Sequence, residues 1–339
     1  MKAYVLHAVN DLRYDEIEIP KCPKGWAIVK VMASGVCSSD IARVFTKGTY
    51  NFPTIPGHEF AGEVYSVGDQ QDALLLGKKV GVFPLIPCRD CAQCSKKHYE
   101  MCVNYDYVGS RRDGGYAEFV AVPVWNLIEL PENISFVSAA MLEPLAVALH
   151  AIKIGEIKKG GNVAIIGTGM IGISAGQWAY KYGASKVTVI GRDETKRELV
   201  EKCGLEYLVC TSPTHMVEYD FVLEAVGTPS AVELAVSGAT PGGTVLLMGN
   251  PSGDITFLQS LYWRILRKQL VLKGSWNSSY NGTYSSDWTE VLAAIANNEI
   301  NVEPLVTHVF SQEELPQALN LMLEHKTPYC KVMTIWNNK

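Results

Sequence analysis

The chain has no long uninterrupted apolar run and no cluster of basic residues. Its 339 residues are 47% hydrophobic and 19% charged, and the formal net charge is −5. No apolar stretch reaches the roughly 20 residues of a membrane-spanning helix, and residues 1–10 lack the apolar core of a secretory signal. A net acidic charge argues against nucleic acid as a partner. We therefore expect a globular cytoplasmic protein with neither a nucleic-acid nor a membrane partner.

Internal repeats and low-complexity segments are also absent. A chain of 339 residues predicts two domains, because one hydrophobic core stops growing at roughly 250–300 residues. A disulfide framework is not expected of nine cysteines in a reducing compartment. Their clustering indicates metal binding instead.

A glycine-rich turn is the clearest functional signal. The apolar run Val163–Ile166 leads into Gly167-Thr168-Gly169-Met170-Ile171-Gly172, and an apolar helix follows as far as Lys181 and Gly183. In a G-x-G-x-x-G turn the first glycine permits the bend, the second admits a pyrophosphate and the third packs helix on strand. A second strand, Lys186–Ile190, completes the order that dinucleotide binding requires.

The rest of the chain divides into two patterns. Residues 1–150 contain short β segments between Gly, Pro and Asp, which is typical of an antiparallel barrel. Residues 151–284 alternate strands and helices, which predicts a doubly wound parallel sheet. Residues 285–339 hold a helix and a tail too short for its own core, so we expect them to return to the first domain. The predicted segments are Ala27–Met32, Gly62–Ser66, Lys79–Val82, Tyr116–Val122, Val163–Ile166, Val187–Ile190, Tyr207–Val209, Phe221–Glu224, Thr244–Met248, Leu270–Lys273 and the helix Trp288–Asn297.

Three dispersed segments supply candidate ligands for a catalytic metal. Cys37 follows the strand Ala27–Met32, and His58 and Glu59 follow Gly57. Glu143 is the one carboxylate in an apolar stretch, and an unpaired buried carboxylate is costly. Taken alone, Cys37 is typical of a small buried hydrophobic residue, and Glu143 is typical of an acid at a helix N-terminus. Jointly the thiolate, imidazole and carboxylates favour zinc. His150 fits a core or cofactor-side histidine better than a ligand.

Four cysteines form the strongest local motif. Cys88, Cys91, Cys94 and Cys102 follow the spacing C-x2-C-x2-C-x7-C and can close around one tetrahedral ion. With no open position, such a site is structural. An iron–sulfur cluster is the competing interpretation. Cys22, Cys203, Cys210 and Cys330 have no such neighbours and receive no role.

Together these residues resemble the zinc-dependent medium-chain alcohol and polyol dehydrogenases across essentially the whole chain. The resemblance rests on Cys37, Gly57-His58-Glu59, the four cysteines, Glu143-Pro144, the Gly167–Gly172 turn and Leu272-Lys273-Gly274. Glu143 stands where the classical alcohol dehydrogenases carry a cysteine. In this respect the chain resembles the sorbitol-dehydrogenase-like branch. The resemblance implies a zinc-binding GroES-like catalytic domain (1–150), an NAD(P)-binding Rossmann domain (151–284) and a return segment (285–339). It also implies a homodimer or homotetramer formed through the nucleotide domain.

The resemblance assigns the site residues by position. Cys37, His58 and Glu143 would hold the catalytic zinc, and Glu59 would bind directly or through water. Ser39 matches the hydroxyl that passes on the substrate proton, and Asp40 is a partner for His58. Ala42 stands where classical members carry the histidine that ends the proton relay, which favours a water path via Glu59. Contacts to the dinucleotide are assigned to Gly167, Gly169, Met170, Ile171, Gly172, Gly191, Arg192, Ala225, Val226 and Gly249.

The end of the second strand bears on the choice of dinucleotide. NAD-specific members place an acid there for the ribose 2′-hydroxyl, whereas this chain has Gly191-Arg192-Asp193. A small residue followed by arginine leaves room and charge for a 2′-phosphate. NADP is therefore slightly favoured, and NAD stays open because Asp193 is near.

The substrate is predicted from three further segments. Residues 84–88, 105–115 and 265–268 look like polyol-phosphate members of the branch, which implies oxidation of a sugar-alcohol phosphate at a secondary carbon to a ketose phosphate. Arg111 and Arg112 are candidates for the phosphate, because guanidinium binds phosphate in a fork. Arg267 and Lys268 are further basic candidates, and Tyr50, Trp276 and Asn277 are candidates for the polyol chain. The alternatives are an unphosphorylated sorbitol-like polyol, a threonine-type alcohol, or a catalytically idle nucleotide-binding protein.

Overall fold

The computed structural model describes residues 1–251, 253–282 and 286–336. The chain forms two compact units, Met1–Glu143 with Ser279–Lys339, and Pro144–Ser278. The first boundary precedes the limit at residue 150 expected from the sequence. The second expected limit, between residues 284 and 285, lies outside the described residues.

In the described residues the first unit has more strand than α-helix, and strands alternate with helices in the second. In the described residues the strands are β1 (Lys2–Ala8), β2 (Asp11–Glu16), β3 (Trp26–Val36), β4 (Glu59–Val67), β5 (Lys79–Val82), β6 (Leu85–Ile86), β7 (Asp106–Tyr107), β8 (Phe119–Pro123), β9 (Leu127–Glu129), β10 (Asn162–Ile166), β11 (Lys186–Gly191), β12 (Glu206–Val209), β13 (Tyr219–Glu224), β14 (Ala239–Leu247), β15 (Val271–Gly274), β16 (Val306–Ser311) and β17 (Lys331–Ile335).

The α-helices and short turns complete the element list. The helices are α1 (Ser38–Ala42), α2 (Ala92–Ser95), α3 (Phe136–Ala140), α4 (Leu142–Gly155), α5 (Met170–Lys181), α6 (Arg197–Lys202), α7 (Pro229–Ser237), α8 (Gln259–Lys268), α9 (Asp287–Ala296) and α10 (Leu315–Glu324). A π-type turn follows α1 at Arg43–Lys47, and 3₁₀ turns lie at Gln70–Leu75, Tyr99–Met101, Val124–Asn126, Glu194–Lys196, Pro213–His215, Glu303–Leu305 and Gln312–Glu314.

The first unit is built on a largely antiparallel sheet. Its strand order is β16-β17-β3-β4-β5-β9, with β8 also pairing with β3. All these pairs are antiparallel except β16 with β17. The large side chains of Phe60, Tyr116 and Trp336 are fully buried in one apolar core. Because β17 lies beside β3, the C-terminal segment belongs to this unit.

The second unit is the doubly wound parallel sheet that the sequence predicted. Its order is β12-β11-β10-β13-β14-β15, and every neighbouring pair is parallel. Val163 and Ile165 are completely buried, as expected for a central strand covered on both faces. The strand order reverses between β10 and β13, which is where sheets of this type bind ligands at their carboxyl edge.

Two strands extend beyond their predicted limits because of distant partners. β3 continues to Val36, since its last four residues pair with β17. β14 begins at Ala239 rather than Thr244, because Ala239 pairs with Tyr219. Neither partner is visible in the local pattern of residues. Within the described residues, no helix combines the length and apolarity needed to cross a bilayer.

Candidate active site

The end of β3 delivers the first candidate ligand. Cys37 lies between β3 and α1, and its backbone N–H donates to Asp40 Oδ2 over 3.1 Å. Ser39 Oγ donates to Cys37 Sγ over 3.3 Å. The short helix thus presents the Cys37 sulfur and the Ser39 hydroxyl side by side.

The start of β4 adds an imidazole and a carboxylate beside that sulfur. One donor atom from each of Cys37, His58 and Glu59 lies within 4.8 Å of the others. His58 is 4% exposed and Glu59 1% exposed. Sulfur, nitrogen and oxygen donors held this close suit a zinc ion with an open position. The structure therefore brings together three of the four predicted catalytic ligands in one cluster.

Glu143 lies next to this cluster at the start of α4. It is 8% exposed, and its Oε1 accepts a hydrogen bond of 3.3 Å from the Tyr107 hydroxyl. Burial raises the pKa of Glu143 to about 7, against the opposing effect of His58. The Tyr107 ring centroid is 5.8 Å from that of His58, and burial raises the pKa of Tyr107, so its hydroxyl remains a donor. Sequence analysis did not single out Tyr107.

Asp40 orients His58, as the sequence predicted. Asp40 is completely buried, and its Oδ1 lies 3.3 Å from His58 Nδ1 and 2.9 Å from Arg43 Nη1. Its Oδ2 accepts the Tyr116 hydroxyl at 2.9 Å. Burial alone would raise the pKa of Asp40, but the facing His58 and Arg43 hold it well below its usual range. A histidine fixed through Nδ1 leaves Nε2 for a metal.

Arg43 also contacts the hydroxyl predicted to pass on the substrate proton. Its Nη1 donates to Ser39 Oγ over 2.9 Å. Because a guanidinium has no acceptor, it cannot take a proton from Ser39. Neither Arg43 nor Ala42 offers the next step of a side-chain relay. The contact of Arg43 with Ser39 was not predicted.

A buried lysine pairs with Glu59. Lys331 lies on β17, is 2% exposed, and its Nζ donates to Glu59 Oε2 and to Val36 O, the latter over 3.2 Å. Burial alone would lower the pKa of Lys331, but Glu59 raises it, so the ammonium stays charged. Gly35 is opposite Glu59 in the β3–β4 register, and a Cβ on it would overlap Glu59 Oε2. Local sequence patterns cannot reveal Lys331, because 272 residues separate the pair.

The charges around the donor cluster fit a divalent cation. Four acidic groups and two bases surround it: Cys37, Asp40, Glu59, Glu143, Lys331 and Arg43. A metal binds deprotonated thiol and carboxyl groups and neutral imidazole, and in that state four negative charges would face two positive ones, which leaves two to be balanced. Zinc supplies that charge and accepts these donor types.

The four cysteines form a second cluster. The Sγ–Sγ distances are 3.4 Å for Cys88–Cys102, 3.9 Å for Cys88–Cys94 and 4.0 Å for Cys91–Cys102. Four sulfurs at a Zn–S distance of ~2.3 Å would be ~3.8 Å apart at tetrahedral angles. The backbone N–H groups of Cys94 and Val103 lower the pKa of Cys91 to about 6, which favours a thiolate. The arrangement fits one tetrahedral ion, since an iron–sulfur cluster would hold its cysteines further apart.

The glycine-rich turn has the geometry expected of a dinucleotide site. Gly167 ends β10 with φ +121°, and Gly169 precedes the first residue of α5. A Cβ on Gly172 would overlap Gly167 O, whereas one on Gly169 would meet no atom within 4 Å. Gly169 thus leaves the helix N-terminus accessible to a phosphate.

A neighbouring turn holds the other predicted cofactor residues. Glu224, 1% exposed at the end of β13, accepts backbone N–H bonds from Val226 (2.8 Å) and Gly227 (2.7 Å). Ala225 N–H donates to Ile166 O over 3.0 Å. Gly249 N–H donates to Glu224 O over 3.1 Å. Glu224 shapes this turn and was not predicted.

The adjacent residues Arg111 and Arg112 make different contacts. Arg111 lines an open cavity of about 440 Å³ with Tyr50, Asn51, Asn104, Tyr105 and Asp106. Its Cζ lies 4.3 Å and 4.4 Å from the ring centroids of Tyr50 and Tyr105. Arg112 instead pairs with Asp106 and lies 5.2 Å from the ring centroid of Trp26.

The remaining substrate candidates belong to the second unit and do not line this cavity. Trp276 is 58% exposed, and Asn277 has φ +59°. Lys268 donates to Ser237 O over 3.1 Å and to Ala239 O over 2.7 Å, so it stabilises the end of α7. Arg267 lies 4.9 Å from the ring centroid of Trp263.

Comparison with known proteins gives a consistent family assignment. Residues 23–132 match the alcohol dehydrogenase GroES-like domain, and residues 170–297 match the zinc-binding dehydrogenase domain. Galactitol 1-phosphate 5-dehydrogenase of Escherichia coli K12 is 33% identical over 97% of this chain and 98% of its own. Sorbitol dehydrogenase of Bacillus subtilis is 26% identical, with 99% and 98% covered, and L-threonine 3-dehydrogenase of Pseudoalteromonas atlantica is 28% identical, with 90% and 91% covered.

Solved structures support the same family assignment. Galactitol-1-phosphate dehydrogenase from Escherichia coli has a TM-score of 0.92 at 34% identity, over 99% of this chain and 100% of its own. A protein described as a zinc-binding dehydrogenase from Sinorhizobium meliloti 1021, bound to NADP, has a TM-score of 0.88 at 28% identity, with 99% of both chains covered. The rspB alcohol dehydrogenase from E. coli CFT073 with NADH has a TM-score of 0.90 at 26% identity, again with 99% of both covered. The resemblance read from the sequence motifs is confirmed.

We predict that Lys331→Met destabilises the first unit strongly. The substitution keeps an apolar stem but leaves Glu59 buried and unpaired, which costs about 3–5 kcal/mol. Lys78→Met removes an exposed partner of Glu129 and is expected to cost less than about 1 kcal/mol. Urea denaturation of the metal-free proteins measures both, because a metal bound at Glu59 would replace the lost partner. Equal losses, or no recovery when Glu59→Gln is added to Lys331→Met, would contradict the assignment.

Proposed function

The chain belongs to the family of zinc-binding alcohol dehydrogenases, and from that premise we propose that it interconverts a sugar-alcohol phosphate and a ketose phosphate. The reaction transfers a hydride between a secondary carbon of the polyol and NAD(P). The observation that carries the redox chemistry is the donor cluster of half-buried Cys37 with buried His58 and Glu59, beside Glu143. A protein that only binds nucleotide has no need of such a cluster, which argues against the idle-binder alternative.

Two metal sites follow from the donor sets. We assign a catalytic zinc to Cys37, His58 and Glu143, with Glu59 binding directly or through water. Cys88, Cys91, Cys94 and Cys102 hold a structural zinc. A catalytic zinc, when bound, acts as a Lewis acid that favours loss of the alcohol proton in oxidation and polarises the carbonyl in reduction.

The side chains around the cluster position the substrate and direct its proton. Ser39 is placed to accept a hydrogen bond from the substrate hydroxyl, while Arg43 holds its oxygen in place. Because Arg43 cannot receive the proton, we assign its exit to water near Glu59 Oε1, the oxygen to which Lys331 does not donate. Asp40 keeps His58 in one orientation throughout.

Arg111 supports a phosphorylated substrate. Two tyrosine rings fix its guanidinium, Nη1 donates to Tyr105 O over 2.9 Å, and within the described residues no acceptor reaches the buried Nε. A guanidinium held in this way, at a cavity with two asparagine amides, suits a phosphate. Ring contacts run from His58 to Tyr107 (5.8 Å) and from Tyr107 to Tyr105 (6.1 Å), so the cavity and the donor cluster lie on one side-chain network.

An unphosphorylated polyol or threonine-type alcohol is the second candidate. The sorbitol and threonine dehydrogenases among the relatives favour it, since each is similar to this chain over at least 90% of its length. The two candidate functions use the same redox chemistry. They differ only in whether Arg111 binds a substrate phosphate.

NADP is the slightly favoured coenzyme. Gly191 places no carboxylate at the end of β11, and Arg192 is exposed directly after it. Residue 191 is not acidic, so the positive charge of Arg192 suits the 2′-phosphate of NADP. NAD remains the alternative, because relatives bind either coenzyme.

We further propose a homodimer formed through the second unit, with a tetramer as the alternative. β15 is the last strand of the six-stranded sheet, so one of its edges offers unpaired N–H and C=O groups. Val271 is 45% exposed and Leu272 38% exposed on this strand, and Tyr262 and Leu266 on α8 are 56% and 50% exposed. A second copy of the same edge satisfies these groups with two-fold symmetry.

The phosphate assignment predicts a selective effect of Arg111→Ala. Loss of hydrogen bonds to a charged group costs about 1.5–3 kcal/mol, which lowers kcat/KM for galactitol 1-phosphate about 10- to 150-fold. Galactitol itself should be unaffected, and Arg112→Ala should change neither substrate by more than a few-fold. Absorbance at 340 nm with both coenzymes gives these values. Equal losses on both substrates would remove the phosphate from the proposal and favour the unphosphorylated alternative.

The metal assignment predicts two zinc ions per chain, separable by single substitutions. Cys94→Ser should reduce the content to one and lower the Tm, because the four-cysteine segment loses its cross-link. Cys37→Ser should also reduce the content to one and abolish activity, and it should lower the Tm because the buried carboxylates lose the balancing cation. Elemental analysis and thermal denaturation measure this. A wild type active without bound metal would sink the proposed reaction.

The proposed dimer interface predicts that charged substitutions on β15 convert the dimer to monomers. Val271→Lys combined with Leu272→Glu should convert a particle of twice 37.2 kDa to one of 37.2 kDa in sedimentation. Leu74→Glu, at an 87% exposed position of the first unit, should leave the mass unchanged. A wild-type monomer, or a double variant that stays dimeric, would refute this interface.

A further inference from the structure

The end of β11 is closed to any side chain at residue 191. A Cβ on Gly191 would overlap the hydroxyl oxygen of Tyr207 and lie 2.6 Å from its Cζ and 3.1 Å from Thr168 Cγ2. In the β11–β12 register Gly191 pairs with Val209 and Val189 with Tyr207, so Tyr207 lies on the face to which a side chain at 191 would point. The Tyr207 ring therefore fills the space that a longer residue at 191 would need.

Tyr207 cannot move aside without losing contacts. Its hydroxyl donates to Asp193 O over 2.5 Å. Arg197 lies with Cζ 5.0 Å from the ring centroid, and its Nη1 donates to Tyr207 O over 3.2 Å. Arg197 is in turn paired with Glu194. Burial and the neighbouring Asp193 raise the pKa of Tyr207, so the hydroxyl remains protonated and keeps donating.

The next acid along the chain is also committed. Asp193 Oδ1 accepts the Thr195 backbone N–H over 2.9 Å and caps the short turn Glu194–Lys196. Reaching a ribose from Asp193 would remove this cap and disturb the carbonyl that holds Tyr207. Arg192, between the two, is exposed.

We infer that Tyr207 closes residue 191 to an acidic side chain, which leaves Arg192 as the charged group at this strand end and so favours a 2′-phosphorylated dinucleotide. An acid at this strand end binds the ribose 2′-hydroxyl and repels a 2′-phosphate. Because Tyr207 occupies its space, the acid can be introduced only after the ring is removed. The inference rests on the proposed dinucleotide binding and adds a residue that the glycine-rich motif does not contain.

Binding of ADP-ribose and 2′-phospho-ADP-ribose tests this without turnover. Calorimetry on the full chain should give tighter binding of the phosphorylated ligand by the wild type. Gly191→Asp alone should lower the Tm and weaken both ligands at least 10-fold, because the carboxylate and the ring compete for one space. Tyr207→Ala alone should keep the wild-type preference. The double variant Gly191→Asp/Tyr207→Ala should regain most of the Tm lost by Gly191→Asp and prefer ADP-ribose at least 10-fold.

Two controls separate the ring from the hydroxyl and from the charge. Tyr207→Phe should not rescue Gly191→Asp, since the ring carbon still overlaps the new side chain. Arg192→Ala should weaken only the phosphorylated ligand and leave the Tm unchanged.

Three outcomes overturn the inference. One is a Gly191→Asp variant that prefers ADP-ribose with an unchanged Tm. Another is a wild type that itself prefers ADP-ribose. The third is a double variant no more stable than Gly191→Asp. Failure of the wild type to bind either ligand would instead refute dinucleotide binding, while the Tm series still decides whether Tyr207 closes residue 191.

Discussion

Charge balance in a buried space is the constraint on which the first unit depends. Glu59, Asp40 and Glu143 are each less than a tenth exposed, and a buried carboxylate without a partner is strongly destabilising. Lys331 and Arg43 offset part of this charge, and the proposed divalent cation would offset the rest. The same contacts that neutralise the carboxylates also fix their geometry, since each acid accepts hydrogen bonds from named donors. Stability of the fold and readiness of the site therefore have one physical origin.

The strand pairing turns that balance into a defined arrangement. β3 ends where Cys37 begins the next turn, β4 begins at Glu59, and β17 lies on the other side of β3 with Lys331 at its first residue. Gly35 is what permits the close approach, because any side chain there would occupy the position of the Glu59 carboxylate. The candidate ligands Cys37, His58 and Glu59 lie where β3 ends and β4 begins, whereas Asp40 on α1 orients His58 and Lys331 on β17 pairs with Glu59.

Features written in adjacent residues could be predicted from the sequence, and those created by distant pairing could not. The glycine-rich turn and the four-cysteine spacing depend on local geometry, and both appear as expected. Lys331, Tyr107 and Tyr207 act through partners far along the chain, so no local pattern marks them. Arg111 and Arg112 show the limit of proximity in sequence: one is held between tyrosine rings at a cavity, and the other pairs with Asp106. The strand limits of β3 and β14 differ for the same reason.

The separation between Glu59 and Lys331 has a consequence for synthesis in the cell. Ribosomes add about 5–20 residues each second, so the 272 residues between these two groups take about 14–54 seconds to make. Throughout that interval the thiol, imidazole and carboxylate of the donor cluster have emerged or are emerging without their counter-ion. The nascent chain therefore passes through a stage in which its ligands are present but not yet assembled. The proposed metal site therefore has its full set of neighbouring charges only once translation has passed Lys331 on β17.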